Sequence, residues 1–193
     1  MSKKIIIFSF LLLFLSFSSF GKSELIGKIS KEEILNNFPN WKDAYDSYIP
    51  KPDPIEKLKS IDYEVQIEIF LGTWCPDSVQ HVSSYFKIME LTDNPQFLTS
   101  YIGLPRDKES RKQFIQGKNI IRLPTFIITI NGQEKGRIIE TPEKSVEEDL
   151  VSILYPYIFP LFRLSRPGVL NTVFSRAIRK TGFFIPKISF TTS

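Results

Sequence analysis

Cysteine is nearly absent from this chain: the 193 residues contain one, Cys75. A single thiol closes no internal disulfide, so a disulfide framework is excluded. So are a zinc cluster of cysteines and an iron–sulfur centre held by several thiolates. Histidine is as scarce, with His81 alone. No Ser-His-Asp set, phosphate-binding loop or cluster of metal ligands is visible, so no metal and no other cofactor is expected. Acidic residues are missing from one region. Positions 155–193 carry Arg163, Arg166, Arg176, Arg179, Lys180 and Lys187 with no Asp or Glu, a charge of +6, while positions 22–154 stand at −4. The sequence pI of about 9.1 therefore belongs to the tail and gives no reason to expect a nucleic-acid partner.

The N-terminus reads as an address. Lys3 and Lys4 precede an apolar run from Ile5 to Leu15 broken only by Ser9, and Ser19-Phe20-Gly21 places small residues where a signal peptidase cuts. Residues 1–21 are expected to be a secretory signal peptide, with an uncleaved membrane anchor as the alternative. Export places the mature protein in the periplasm or cell envelope. An odd cysteine in an exported chain points to intermolecular pairing or a free reactive thiol.

Residues 22–193 have the size of one domain with extensions. Ser30-Lys31-Glu32-Glu33 has the form of a capping box opening a short helix to about Asn37. Trp41, Tyr45 and Tyr48 recur at i, i+4 and i+7 as an aromatic helical face. Pro50, Pro52 and Pro54 are then expected to break the chain. Residues 22–60 thus read as an N-terminal helical extension packed on the main domain by its aromatics.

From residue 61 strand and helix patterns alternate. Tyr63 to Phe70 has a period of two and becomes continuously apolar at Ile69-Phe70-Leu71, as for a strand entering a sheet core. Val79, Val82, Phe86 and Met89 share a face of a helix from Pro76 to about Leu91. A strand over 97–102 and a short helix over 110–116 come next. Thr125–Ile130 is a strongly β-branched strand, Asn131-Gly132 a hairpin turn and 136–140 its partner. A last helix is expected over 144–154, started near Thr141-Pro142. The order β-α-β-α-β-β-α makes a mixed sheet with helices on both faces.

The chemistry centres on Cys75, which follows an apolar strand and opens a helix. Its sulfur sits near unpaired backbone N–H groups and the positive end of the helix dipole, which favours thiolate over thiol. Pro76 suits the first helical turn, where a missing N–H costs nothing. Trp74 would cover one side of the sulfur and offer a partner an apolar surface. Asp77 stabilises a helix N-terminus but opposes thiolate formation. His81 lies about 240° around the helix from Cys75 and is expected to be a surface or packing residue, not a general base.

"FLGTWCPDS" at 70–78 and "IIRLPTFIITINGQEKGRIIE" at 120–140, taken together, resemble the thioredoxin superfamily. More narrowly they resemble exported bacterial thioredoxin-like proteins with a Gly-Thr-Trp-Cys-x-Asp-Ser turn. The resemblance covers residues 61–154. It implies an α/β fold, a thioredoxin-like mixed sheet flanked by helices, with the N-terminal helical extension and the basic tail as additions. It also implies that Pro124 is a cis-proline facing Cys75, turning Leu123 so that its backbone can pair with an extended substrate.

Three departures qualify that likeness. Ser78 stands where a dithiol protein has its resolving cysteine, so Cys75 can attack a disulfide once and another thiol must finish the exchange. Ile69 stands where the family often has a buried carboxylate; Glu68 is adjacent but points to the other face. Ser83 stands where the helix often carries a kinking proline. The expected function is a monothiol thioredoxin-like thiol–disulfide exchange protein of the cell envelope, with protein or small-molecule thiols and disulfides as partners. Cys75 is the reacting group, Ser78 tunes it, and Trp74, Pro76, Leu123 and Pro124 shape the partner groove. One alternative is a non-catalytic module binding through the same groove, another an interaction protein defined by its extensions.

The tail is a separate question. Val169, Leu170, Val173, Phe174, Ala177 and Ile178 form an apolar stripe ending near Gly182. Docking against its own domain, or loose order, is the expectation. Peripheral contact with an anionic membrane through 168–182 is the alternative.

Overall fold

A computed structural model describes residues 24–155. The expected signal peptide and, beyond Tyr155, the basic tail lie outside the described residues. The chain runs β1 (Gly27–Ile29), α1 (Lys31–Asn37), α2 (Pro39–Ser47), α3 (Pro52–Lys59), β2 (Val65–Leu71), α4 (Pro76–Thr92), β3 (Phe97–Gly103), α5 (Lys108–Ile115), β4 (Thr125–Ile130), β5 (Gln133–Ile139) and α6 (Val146–Leu154). The strands form one mixed sheet ordered β1-β3-β2-β4-β5. β2 and β3 are parallel, and every other neighbouring pair is antiparallel. Among the described residues no helix is long and apolar enough to cross a membrane.

The pleat of β2 sorts its side chains. Val65, Ile67, Ile69 and Leu71 enter a large core with Trp41, Leu58, Val82, Tyr85, Phe86, Phe126 and Leu150. Phe70 enters a small cluster on the other face with Cys75, Leu104, Leu123 and Ile127, under Phe114 and Ile115 of α5. Helices thus cover both faces, but unequally. The hairpin turn falls at Asn131-Gly132, whose φ values of 51° and 72° are those that an Asn-Gly turn between twisted strands requires.

The segment before β2 is more structured than its sequence pattern indicates. The capping box is present: Glu33 N–H donates to Ser30 Oγ at 3.1 Å and Ser30 N–H to Glu33 Oε2 at 2.8 Å. β1 is an unforeseen strand of three residues, too short for periodicity to reveal, and it pairs with the outer edge of β3. Gly103 is required there, since a Cβ on it would lie 2.2 Å from the Leu25 carbonyl oxygen. Trp41 is fully buried, and its carbonyl accepts a hydrogen bond from Ser83 Oγ at 3.1 Å.

Two sequence expectations fail. The prolines at 50–54 do not simply interrupt the chain: Pro52 opens α3 and Pro54 lies inside its first turn. First-turn N–H groups have no intrahelical acceptor, so proline loses nothing there. The last helix starts later than Thr141-Pro142, at Val146, with Ser145 as N-cap. Asp149 holds the preceding turn by accepting from Glu143 N–H at 2.7 Å and Lys144 N–H at 3.3 Å. Glu147 of α6, only 1% exposed, accepts from the Tyr48 hydroxyl at 2.7 Å and Lys51 N–H at 3.1 Å. That buried carboxylate ties the α2–α3 connection to the last helix.

Candidate active site

Cys75 is the N-cap residue of α4, in an extended conformation with Pro76 at the first helical position. Its own N–H donates back to the Gly72 carbonyl at 2.9 Å, which closes the turn between β2 and the helix. The sulfur is buried at 7% residue exposure, and the thiol donates to the Leu123 carbonyl at 3.6 Å. The Leu123–Pro124 peptide bond is cis. Residues 48 positions apart in sequence thus meet across the end of the sheet. Pro76 is exposed beside them, while Leu123 and Pro124 are buried.

Ser78 is fully buried, and its hydroxyl oxygen accepts from Gly72 N–H at 3.2 Å. It therefore braces the turn that carries Cys75 and keeps its own proton to donate. Ile69 is fully buried in the large core, so a hydrocarbon fills the position where a carboxylate would stand behind the thiol. Glu68 faces the opposite side and pairs with Lys118. His81 is a packing residue at 9% exposure. Burial lowers its proton affinity, and the neighbouring Asp77 carboxylate opposes that only in part.

Trp74 packs against the cluster that holds Cys75. Its indole N–H donates to the Leu104 carbonyl at 3.0 Å, and its ring lies over Gly72, where a Cβ would come within 2.8 Å of it. The Arg106 and Arg111 guanidinium carbons stand 4.9 and 5.0 Å from the ring centroid, at cation–π distance. The flank of the site is thus cationic as well as apolar. Sequence reading missed both arginines, because nothing in their spacing ties them to Trp74.

Two further residues hold the turn from behind. The Trp41 indole donates to the Thr73 carbonyl at 3.1 Å, and Leu25 N–H donates to Thr73 Oγ1 at 3.3 Å. The N-terminal segment therefore positions the Gly-Thr-Trp-Cys turn directly. Of the sequence-expected residues, Trp74, Cys75 and Leu123 meet in one cluster, with Pro76 and Pro124 next to them in the chain and Ser78 three residues after Cys75.

A helix N-terminus presenting one thiol to a carbonyl beside a cis-proline, at the end of a mixed sheet, defines a thioredoxin-type protein. A family model described as thioredoxin matches residues 30–152, and the chain belongs to that family. No curated protein matches the sequence. Among solved structures, a Pseudomonas aeruginosa protein of unknown function is similar at 18% identity and a TM-score of 0.47, covering 68% of this chain and 82% of its own. An N-terminal domain of Enterococcus faecalis alkylhydroperoxide reductase is 15% identical with a TM-score of 0.41, covering 60% and 52%. A Trypanosoma brucei brucei thioredoxin is 17% identical with a TM-score of 0.32, covering 55% and 88%.

Proposed function

We propose that this protein is a monothiol thiol–disulfide exchange protein of the cell envelope. The Cys75 thiolate attacks one sulfur of a partner disulfide. The partner's S–S bond breaks, a Cys75–partner disulfide forms, and the leaving sulfur departs with the bonding pair and takes a proton from solvent. With Ser78 in place of a second thiol, an external thiol must attack the mixed disulfide to regenerate Cys75. Ser78 braces the turn that carries Cys75 and tunes it in that way; Trp74, Pro76, Leu123 and Pro124 line the groove that receives the partner. Export rests on the N-terminal sequence alone.

The observation that carries this reading is the placement of the chain's sole thiol at the N-cap of α4, 3.6 Å from the Leu123 carbonyl. One observation favours the alternative of a noncovalent binding module: Cys75 is 7% exposed, whereas Ile121, two residues before Leu123, is 84% exposed. Incubating the folded protein with 2-hydroxyethyl disulfide, followed by intact-mass measurement, separates the two. Exchange predicts one adduct per chain, absent in Cys75→Ser and removed by added thiol. A folded protein that takes up no adduct supports the binding module instead.

A further inference from the structure

Arg111 is fixed rather than swinging in solvent. Its Nε donates to the Pro105 carbonyl at 2.7 Å and an Nη to the Arg106 carbonyl at 2.9 Å, while its Cζ stands 5.0 Å from the Trp74 ring centroid. None of the ion pairs among the described residues involves it. The second Nη of Arg111 is left to donate elsewhere. Arg106, on the same ring, has one loose partner, Glu24 at 3.6 Å. A guanidinium already held by carbonyls loses little freedom on binding an anion, and presents a fixed fork to a carboxylate.

Three acidic groups around the site are otherwise engaged. Glu24 accepts from Arg106 N–H at 2.9 Å. Asp107 accepts from Ser110 N–H at 2.8 Å and Ser110 Oγ at 2.6 Å. Those bonds, with Arg111 contributing last, hold its carboxyl below the usual range. Glu140 pairs with Arg122 beside Leu123, whereas Asp77, along α4 by His81, is in none of the ion pairs among the described residues.

We infer that Arg111, seconded by Arg106, selects partners whose reacting sulfur has a carboxylate within a few bonds of it. This rests on the exchange reading above and specifies its substrate class. The carboxylate can belong to a small acidic disulfide or to an acidic residue flanking a protein cysteine. Either would meet the Trp74 flank as its sulfur approaches Cys75.

The test measures second-order rates of Cys75 adduct formation with three probes sharing one alkyl disulfide core. They are 3,3′-dithiodipropionate (anionic), 2-hydroxyethyl disulfide (neutral) and cystamine (cationic). The expected order is anionic, then neutral, then cationic, with the anionic-to-neutral ratio falling about five-fold in Arg111→Gln. Arg111→Lys should recover only part of that ratio. In the unaltered protein, added salt should slow the anionic probe and quicken the cationic one, a readout that survives misfolding of either variant. Disulfide peptides with Asp or Asn flanking the cysteine distinguish the sources. A preference confined to the peptides assigns the carboxylate to a protein partner, and one shared by the small probes assigns it to either.

Equal rates for all probes and both peptides, or the reverse order, overturn the inference while leaving exchange intact. Absence of reaction with the neutral probe overturns exchange itself.

Discussion

The two faces of the sheet differ in depth. Among the described residues, the core under α1–α4 and α6 gathers 22 buried side chains, whereas the cluster under α5 gathers five, one of them Cys75. The thick face has aromatics in contact, with Phe86 tilted against Trp41 at 6.3 Å and edge-on to Tyr101 at 5.3 Å. The thin face has a Glu68–Lys118 ion pair and an Arg137 guanidinium donating to the Lys118 carbonyl at 2.7 Å. Stability resides in the first, since buried apolar area scales with folding free energy. The sulfur sits at the seam. Its helix packs on the thick face while its side chain joins the thin one, so a rigid backbone carries a thiol close to the surface.

Truncating one aromatic on each face is the harshest way to break this comparison. Phe86→Ala should cost about 3–5 kcal/mol in urea unfolding. Phe114→Ala, at a half-buried position on α5 that packs against the small cluster, should cost under about 2 kcal/mol. Equal costs would mean that the thin cluster contributes as much to stability as the core. A finer cut is Trp41→Phe, which keeps most of the packing but leaves the Thr73 carbonyl without its indole donor. A loss of about 1–3 kcal/mol is expected, together with slower Cys75 adduct formation because the turn is freed. Lost stability at an unchanged adduct rate would sink the positioning role of Trp41.

The smallest effect is a pH dependence on the thick-face helix. Burial lowers the proton affinity of His81 from an ordinary value of 6.5. Well above that pH the residue is neutral in both folded and unfolded chains. As pH falls through it the unfolded chain takes the proton first, so stability decreases toward acid. The substitution His81→Gln should flatten that acid limb in urea titrations at successive pH values. An unchanged slope would mean that His81 titrates alike in both states.

Legibility in the sequence divides along the same lines. Strong local patterns sufficed for Thr125–Ile130, for the Asn131-Gly132 turn, for the Ser30–Glu33 capping box and for a helix opening at Pro76. β1 was not legible, since its three residues become a strand only by pairing with β3. α3 was hidden because three prolines in five residues read as a break unless they fall in a first turn. In the site, Cys75 and Leu123 were legible from their motifs. Arg106, Arg111 and Trp41 were not, because their roles depend on where a loop and two helices remote in sequence meet Trp74 and Thr73.

The central claim is that this site performs half of a dithiol reaction, and Ser78→Cys tests it most directly. The protein and this variant would each be loaded with 2-hydroxyethyl disulfide, cleared of reagent and followed by intact mass. The account predicts that the unaltered chain keeps its Cys75 adduct until a thiol is added. The variant should shed the adduct unaided and finish two hydrogens lighter than its dithiol form. An unaltered chain that takes up no adduct, or releases it without added thiol, would contradict the account.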